Sequence, residues 1–160
     1  MTTIFAAIAI LKYISACIHE FGHFLVAKLA GFDVEEVIIG ENVNRQVINF
    51  NFFGTPFCSD IGAGGITSVK LRDNNFIKLR LLAFVLGGVI LQFLVSCMVW
   101  VAFGMGNEQM YFLPLLFGVI NLWSIIRCML PKEYYFNGTL HLSDGLRMIQ
   151  VIKMRINESE

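Results

Sequence analysis

The sequence predicts an all-α membrane protein that carries a small β-element: three principal transmembrane segments and a C-terminal amphipathic or half-membrane helix. Three observations predict it. Apolar residues make up 56% of the 160 positions and charged residues 15%, against about 45–50% and about 25% in an ordinary soluble domain; mean hydropathy is +0.68. Residues 81–103 carry no charge, and at 1.5 Å per residue they extend about 34 Å, enough to cross a bilayer. Between 31 and 80, short runs rich in Val, Ile and Phe alternate with Gly-rich breaks, the pattern of strands and turns. The length suits a single domain spanning 1–160. Twelve basic residues balance twelve acidic ones, so the chain lacks the charge footprint of a nucleic-acid partner.

The first segment, 2–30, is apolar overall but carries Lys12, His19, Glu20, His23 and Lys28. Charged groups at the centre of a spanning helix each cost about 2.5–3.5 kcal/mol on insertion scales, so chemistry is expected there. It does not read as a cleaved signal, because Lys12 interrupts the apolar run and no basic stretch precedes it. In the 31–80 region, Val34–Ile39 and Gln46–Phe53 are predicted strands with a turn at Gly40-Glu41-Asn42. Gly54-Thr55-Pro56 is predicted to end the second, and Ile66–Leu71 to form another after Gly62-Ala63-Gly64-Gly65. Helices are predicted at 81–103 and 110–130; Pro114 and Gly118 in the latter are tolerable in a membrane. The last helix, 144–156, sets Leu146, Ile149, Ile152 and Ile156 at helical spacing among Arg147, Lys153 and Arg155, as in a helix lying at a membrane surface. The loop at 104–109 has no basic residue, whereas 31–80 and 127–160 carry most of them. The positive-inside rule therefore puts those two regions in the cytoplasm of a multi-pass protein, and a prokaryotic cell membrane is the expected setting.

Within the first helix stands His19-Glu20-Phe21-Gly22-His23, an HExxH sequence. Residues four apart share a helix face. Both imidazoles can therefore bind one Zn²⁺, with Glu20 beside them as general base. Leaving these groups in a lipid-spanning helix costs several kcal/mol, while structural zinc binding in folded peptides supplies about 10–16 kcal/mol. A metal resolves the cost. Zinc needs at least one more protein ligand and an open position for water. The four cysteines, Cys17, Cys58, Cys97 and Cys128, are too dispersed for a CxxC zinc site or a disulfide framework.

With these residues in view, the sequence resembles the site-2 protease family of intramembrane zinc metalloproteases. Besides the HExxH, Gly88-Val89-Ile90-Leu91-Gln92-Phe93 resembles the family's Gly-Pro-x-x-Asn-Phe element, and Leu142-Ser143-Asp144-Gly145-Leu146-Arg147 its Leu-Asp-Gly element. Val119-Ile120-Asn121-Leu122 resembles the Asn-Leu step upstream of that aspartate, and Gly64-Gly65 with the following strand the membrane-associated β-element. The resemblance implies that His19, His23 and Asp144 hold zinc and Glu20 activates water. It also implies that Gln92, Asn121, Gly64 and Gly65 lie along the substrate, a transmembrane or signal-peptide-like segment of another protein; Asn121 and Ser124 would equally suit hydrogen bonding between helices. A chain this short is open to a regulatory membrane partner that shields its site.

The sequence departs from the family pattern in places. Gln92 replaces the usual Asn, Val89 the usual Pro, and Ser124 a Pro that normally follows the Asn-Leu step. Asn121 and Asp144 are 23 positions apart, and 127–141 looks like an insertion in a broken third helix. The spacing leaves the depth of Asp144 open and makes His141 a rival third ligand, since zinc with three histidines is chemically reasonable. Tyr134 and Tyr135, with Trp100 and Trp123, read as interface anchors. Asn137-Gly138-Thr139 fits a glycosylation pattern that the cytoplasmic placement discounts. The same histidines would also suit a non-enzymatic membrane metal-binding or metal-transport protein, and Glu20 distinguishes the two.

Overall fold

The first apolar stretch folds as one helix, α1 (Thr2–Leu29), and the sequence just beyond it dictates the stop. Gly31 takes φ 75°. Its N–H donates to the Lys28 carbonyl at 3.1 Å, and the Phe32 N–H donates to the Ala27 carbonyl at 2.9 Å. This paired closure is a Schellman motif, with glycine supplying the left-handed residue. The computed structural model describes residues 2–40, 48–60, 62, 64–71, 76–104, 111–136 and 138–154.

Four strands follow: β1 (Asp33–Ile39), β2 (Ile48–Phe52), β3 (Thr55–Ser59) and β4 (Gly65–Lys70). Their order across the sheet is β2-β3-β1-β4, with β1 and β3 parallel and the other neighbours antiparallel. Three of them match predicted strands to within two residues. Gln46 and Val47 of the second, and Glu41 and Asn42 of the first turn, lie outside the described residues. β2 ends just before Gly54-Thr55-Pro56, as expected, but Thr55 and Pro56 open β3, an unpredicted strand. Phe53 and Gly54, at φ 49° and 75°, form a two-residue turn of the type that suits hairpins, and the chain pairs straight back from Thr55. Pro56 is tolerated because β1 pairs with β3 only from Phe57 onward, so its missing N–H leaves no gap in the ladder.

The second long helix, α2 (Ile77–Gly104), starts four residues before the predicted 81, taking in Lys78 and Arg80. Lys78 Nζ donates to the Ile152 carbonyl at 2.7 Å, at the far end of the last helix, where a cation is favoured. The third helix, α3 (Phe112–Met129), fits the predicted 110–130 segment, of which Met110 lies outside the described residues. The stretch read as an insertion holds an unpredicted hairpin, β5 (Glu133–Phe136) and β6 (Thr139–Leu142). Asn137-Gly138 between them is a strong hairpin-turn signal that the glycosylation pattern had masked. The last helix, α4 (Asp144–Lys153), begins where predicted; Arg155 and Ile156 lie outside the described residues.

Among the described residues, three stretches are long and apolar enough to cross a membrane: Ile4–Leu29, Ile77–Phe103 and Phe112–Met129. Only 22, 28 and 17% of their most apolar windows are buried, so their outer surfaces are apolar, as lipid contact requires. The buried core gathers near one end of these helices. Phe24 and Ala27 of α1 meet Val37 of β1, Phe57 of β3, Leu81, Phe84 and Val85 of α2, and Val151 of α4. Burying a side chain such as Phe24 contributes about 1.5–3 kcal/mol. At the edge of this core α1 and α2 touch backbone to backbone. A Cβ on Gly22 would overlap the Gly87 carbonyl, and one on Gly87 would come within 2.8 Å of the Gly22 carbonyl. Small residues permit such close crossings between apolar helices.

Candidate metal centre

His19 and His23 stand on this crossing, 6% and 5% exposed. His23 Nδ1 lies 2.8 Å from the Phe84 carbonyl. A carbonyl only accepts, so Nδ1 donates and Nε2 keeps its lone pair. His19 Nδ1 lies 3.1 Å from Gln92 Oε1 and donates in the same way. The two Nε2 atoms are then 3.0 Å apart. Gly88 of α2 makes room for both rings, since a Cβ there would stand 2.6 Å from His23 Nε2 and 2.8 Å from His19 Cε1.

Asp144 completes the cluster from the first turn of α4. Its Oδ2 lies 3.0 Å from His19 Nε2 and 3.4 Å from His23 Nε2. The unusual spacing in the sequence does not displace it, because the hairpin is a closed excursion. Ser143 Oγ donates to the Leu130 carbonyl at 2.8 Å and accepts from the Lys132 N–H at 3.0 Å. The Ser143 N–H donates to the Lys132 carbonyl at 2.9 Å. The chain thus leaves at the end of α3 and returns to the same place. Ser143 also caps α4, accepting from the Leu146 N–H at 3.4 Å. Burial pushes the Asp144 carboxyl up, but hydrogen bonds from the imidazoles of His19 and His23, when protons occupy their Nε2 atoms, outweigh it. The group is held well below the usual carboxylate range.

Two imidazole lone pairs and one carboxylate oxygen therefore converge, and they repel one another unless positive charge lies among them. Zinc bonds nitrogen and oxygen at about 2.0–2.2 Å, which sets tetrahedral ligand atoms about 3.3 Å apart. Of the three separations here, that of 3.4 Å meets this spacing and the two of 3.0 Å are somewhat shorter. Two histidines and one carboxylate also form a donor set of catalytic zinc sites, with one position left for water.

Glu20 is 5% exposed. Its Oε2 accepts from Thr67 Oγ1 of β4 at 2.8 Å, and Gly65 on the same strand lies against its side chain, where a Cβ would come within 2.7 Å of Oε1. Gly64 accepts from the Gly40 N–H at 2.7 Å, tying the start of β4 to the end of β1. Thr67 went unnoticed in the sequence, where one Thr in a strand carries no signal.

Gln92 and Asn121, expected along the substrate, are 0% and 1% exposed and hydrogen-bonded within the chain. Gln92 Nε2 donates to Ser15 Oγ at 2.6 Å, Ser15 Oγ donates to Asn121 Oδ1 at 2.8 Å, and Asn121 Nδ2 donates to the Phe117 carbonyl at 2.9 Å. They stand behind His19. Ser15 also went unnoticed. His141 lies on β6 with its Nε2 on the Thr139 hydroxyl. Among the described residues, the close group of metal-capable atoms comprises His19, His23 and Asp144, without His141.

A search of curated proteins matches none. The family model of Peptidase family M50 matches residues 6–157, which include His19, Glu20, His23 and Asp144. With nearly the whole chain matched, this protein belongs to Peptidase family M50, the site-2 protease family of intramembrane metalloproteases.

Proposed function

We propose that the chain is a zinc-dependent endopeptidase that cleaves a transmembrane or signal-peptide-like segment of another membrane protein. His19, His23 and Asp144 would hold the metal, and Glu20 would act as general base. The observation that carries this reading is the convergence of His19 Nε2, His23 Nε2 and Asp144 Oδ2, with both Nδ1 atoms already engaged. Bound zinc would lower the pKa of a water to about 7 and polarise the scissile carbonyl. Glu20 takes the water proton and later delivers it to the leaving amine, and Thr67 aims its carboxylate by holding Oε2. A substrate helix must unwind before its backbone reaches Glu20. One of the two edges of the sheet is β4, which carries Gly65 and Thr67, so an extended peptide adding to that edge after Gly64 would run beside Glu20. The basic-residue bias supports a cytoplasmic sheet and C-terminus in a single catalytic domain, and a regulatory membrane partner fits the same picture.

The test uses the chain purified in detergent, its zinc content and its cleavage of a transmembrane substrate peptide. Wild type binds one zinc per chain. Asp144→Ala loses the metal and His141→Ala keeps it; the reverse would move the third ligand to the hairpin. Glu20→Gln keeps zinc and loses about 10²–10⁴-fold in rate. Unchanged cleavage in Glu20→Gln would overturn the general-base role, and a folded wild type that takes up no supplied zinc would overturn the metalloprotease reading.

A further inference from the structure

Ser15 lies one turn before His19 on α1 and is 1% exposed. It is the middle of a hydrogen-bond chain that crosses three helices, and the direction of every bond in that chain follows from its far end. The Phe117 carbonyl on α3 can only accept. Asn121 must therefore give it Nδ2–H, at 2.9 Å, which turns Asn121 Oδ1 toward Ser15. That amide oxygen can only accept as well, so the Ser15 hydroxyl spends its one proton there, at 2.8 Å. Ser15 Oγ is then an acceptor toward Gln92, which must present Nε2–H to it, at 2.6 Å. The second acceptor near that amide nitrogen is the Ser15 carbonyl, at 3.4 Å. Gln92 Oε1 is thereby aimed at His19 Nδ1, which must carry the proton. The Nε2 lone pair is left facing His23 and Asp144.

We infer that Ser15 is a positioning residue that sets the tautomer of His19 by orienting the Gln92 amide, and that Gln92 and Asn121 serve the metal ligand rather than the substrate. The inference rests on the metal-site reading above. An amide can turn over because its two ends are nearly the same shape; of the two in this chain, Asn121 is fixed by the Phe117 carbonyl, and Gln92 is the one that depends on Ser15. Without the Ser15 hydroxyl, only the longer contact to the carbonyl of residue 15, at 3.4 Å, holds the amide this way round, and Gln92 can present Nε2–H to His19 Nδ1 instead. His19 would then carry its proton on Nε2, where the metal must bind. A carboxylate at position 92 cannot make that error, since both of its oxygens accept. A carboxylate behind a metal-bound histidine is itself a common arrangement.

The test measures zinc affinity of the detergent-purified chain by competition with a chromophoric chelator, alongside thermal unfolding. Ser15→Ala is expected to weaken zinc binding by about 10–100-fold, and Ser15→Thr, which keeps the hydroxyl, to bind like wild type. The decisive variant is Ser15→Ala combined with Gln92→Glu, expected to bind zinc as tightly as Gln92→Glu alone. Wild-type affinity in Ser15→Ala would overturn the inference while leaving the metal site standing. So would a loss in Ser15→Ala that Gln92→Glu does not restore, because Ser15 would then matter only for packing. A folded wild type that binds no zinc would overturn the metal reading and this inference with it.

Discussion

The backbone of Gly145 is pressed against the carbonyl of Met129 so closely that a Cβ on Gly145 would overlap it. The first turn of α4 is seated directly on the last turn of α3, and this contact decides where Asp144 stands. Gly145→Ala is expected to push α4 away and carry Asp144 out of reach of His19 and His23. Overpacking of this kind costs about 1–3 kcal/mol of stability, and zinc binding should weaken by at least about tenfold. Ser143→Ala removes the cap and should lower stability by about 0.5–2 kcal/mol. Chelator competition and thermal unfolding read both effects. Wild-type zinc affinity in Gly145→Ala would show that the contact does not place the ligand.

Gly88 is the corresponding contact on α2. An added methyl would meet the His19 and His23 rings, so Gly88→Ala should abolish zinc binding while the helices still form. Gly118 on α3 has nothing within 4 Å of its Cβ position, and Gly118→Ala should be neutral or slightly stabilising, as alanine favours a helix over glycine. Zinc content and circular dichroism of the two variants, side by side, separate a local clash from a general intolerance of side chains.

Thr67 touches Glu20 and not the metal-capable atoms. Thr67→Val removes the hydroxyl at nearly constant shape. It should lower the cleavage rate by about tenfold, the scale of one hydrogen bond to a charged group, while zinc affinity stays at the wild-type value. Thr67→Ser should restore the rate. A loss of zinc in Thr67→Val would mean that the strand supports the metal rather than the base.

Tyr134, read from the sequence as an interface anchor, is half-buried on β5. Burial pushes its phenol from 10.0 up to about 12; Arg147 opposes the shift, and Glu20 and Asp144 add to it. A group whose folded pKa is raised contributes stability that is complete below its unfolded pKa and is lost as pH climbs through the folded value. Wild type should therefore lose stability between pH 10 and about pH 12 more steeply than Tyr134→Phe. Unfolding midpoints of the two proteins across that range, if parallel, would sink the assignment.

Gln92 and Asn121 show what a motif leaves open. Both are buried against Ser15, in the hydrogen bonding between helices that is one of the two readings of Asn121. A motif position specifies a residue type, whereas the direction of a side chain depends on partners from other helices. The sheet tells the same story. β1 and β4 were legible from their β-branched runs, but β3 was hidden by Pro56, whose constraint matters only on the side where β1 has not yet begun to pair. The β5–β6 hairpin was hidden because its strands are four residues each, too short for an alternating pattern to stand out.

The three apolar spans, the approximate ends of α1 and α3, and the His19-Glu20-His23 face were determined by the sequence itself. Hydropathy and the four-residue helical spacing are local properties, set by neighbours along the chain. The choice of Asp144 over His141 as neighbour of the histidines was decided by the tertiary structure. It depends on Ser143 closing the base of the hairpin, on Gly145 meeting Met129, and on Gly88 leaving room for two rings. These contacts join residues distant in sequence, and a shift of an ångström in any of them alters the separations of metal-capable atoms that stand 3.0 to 3.4 Å apart.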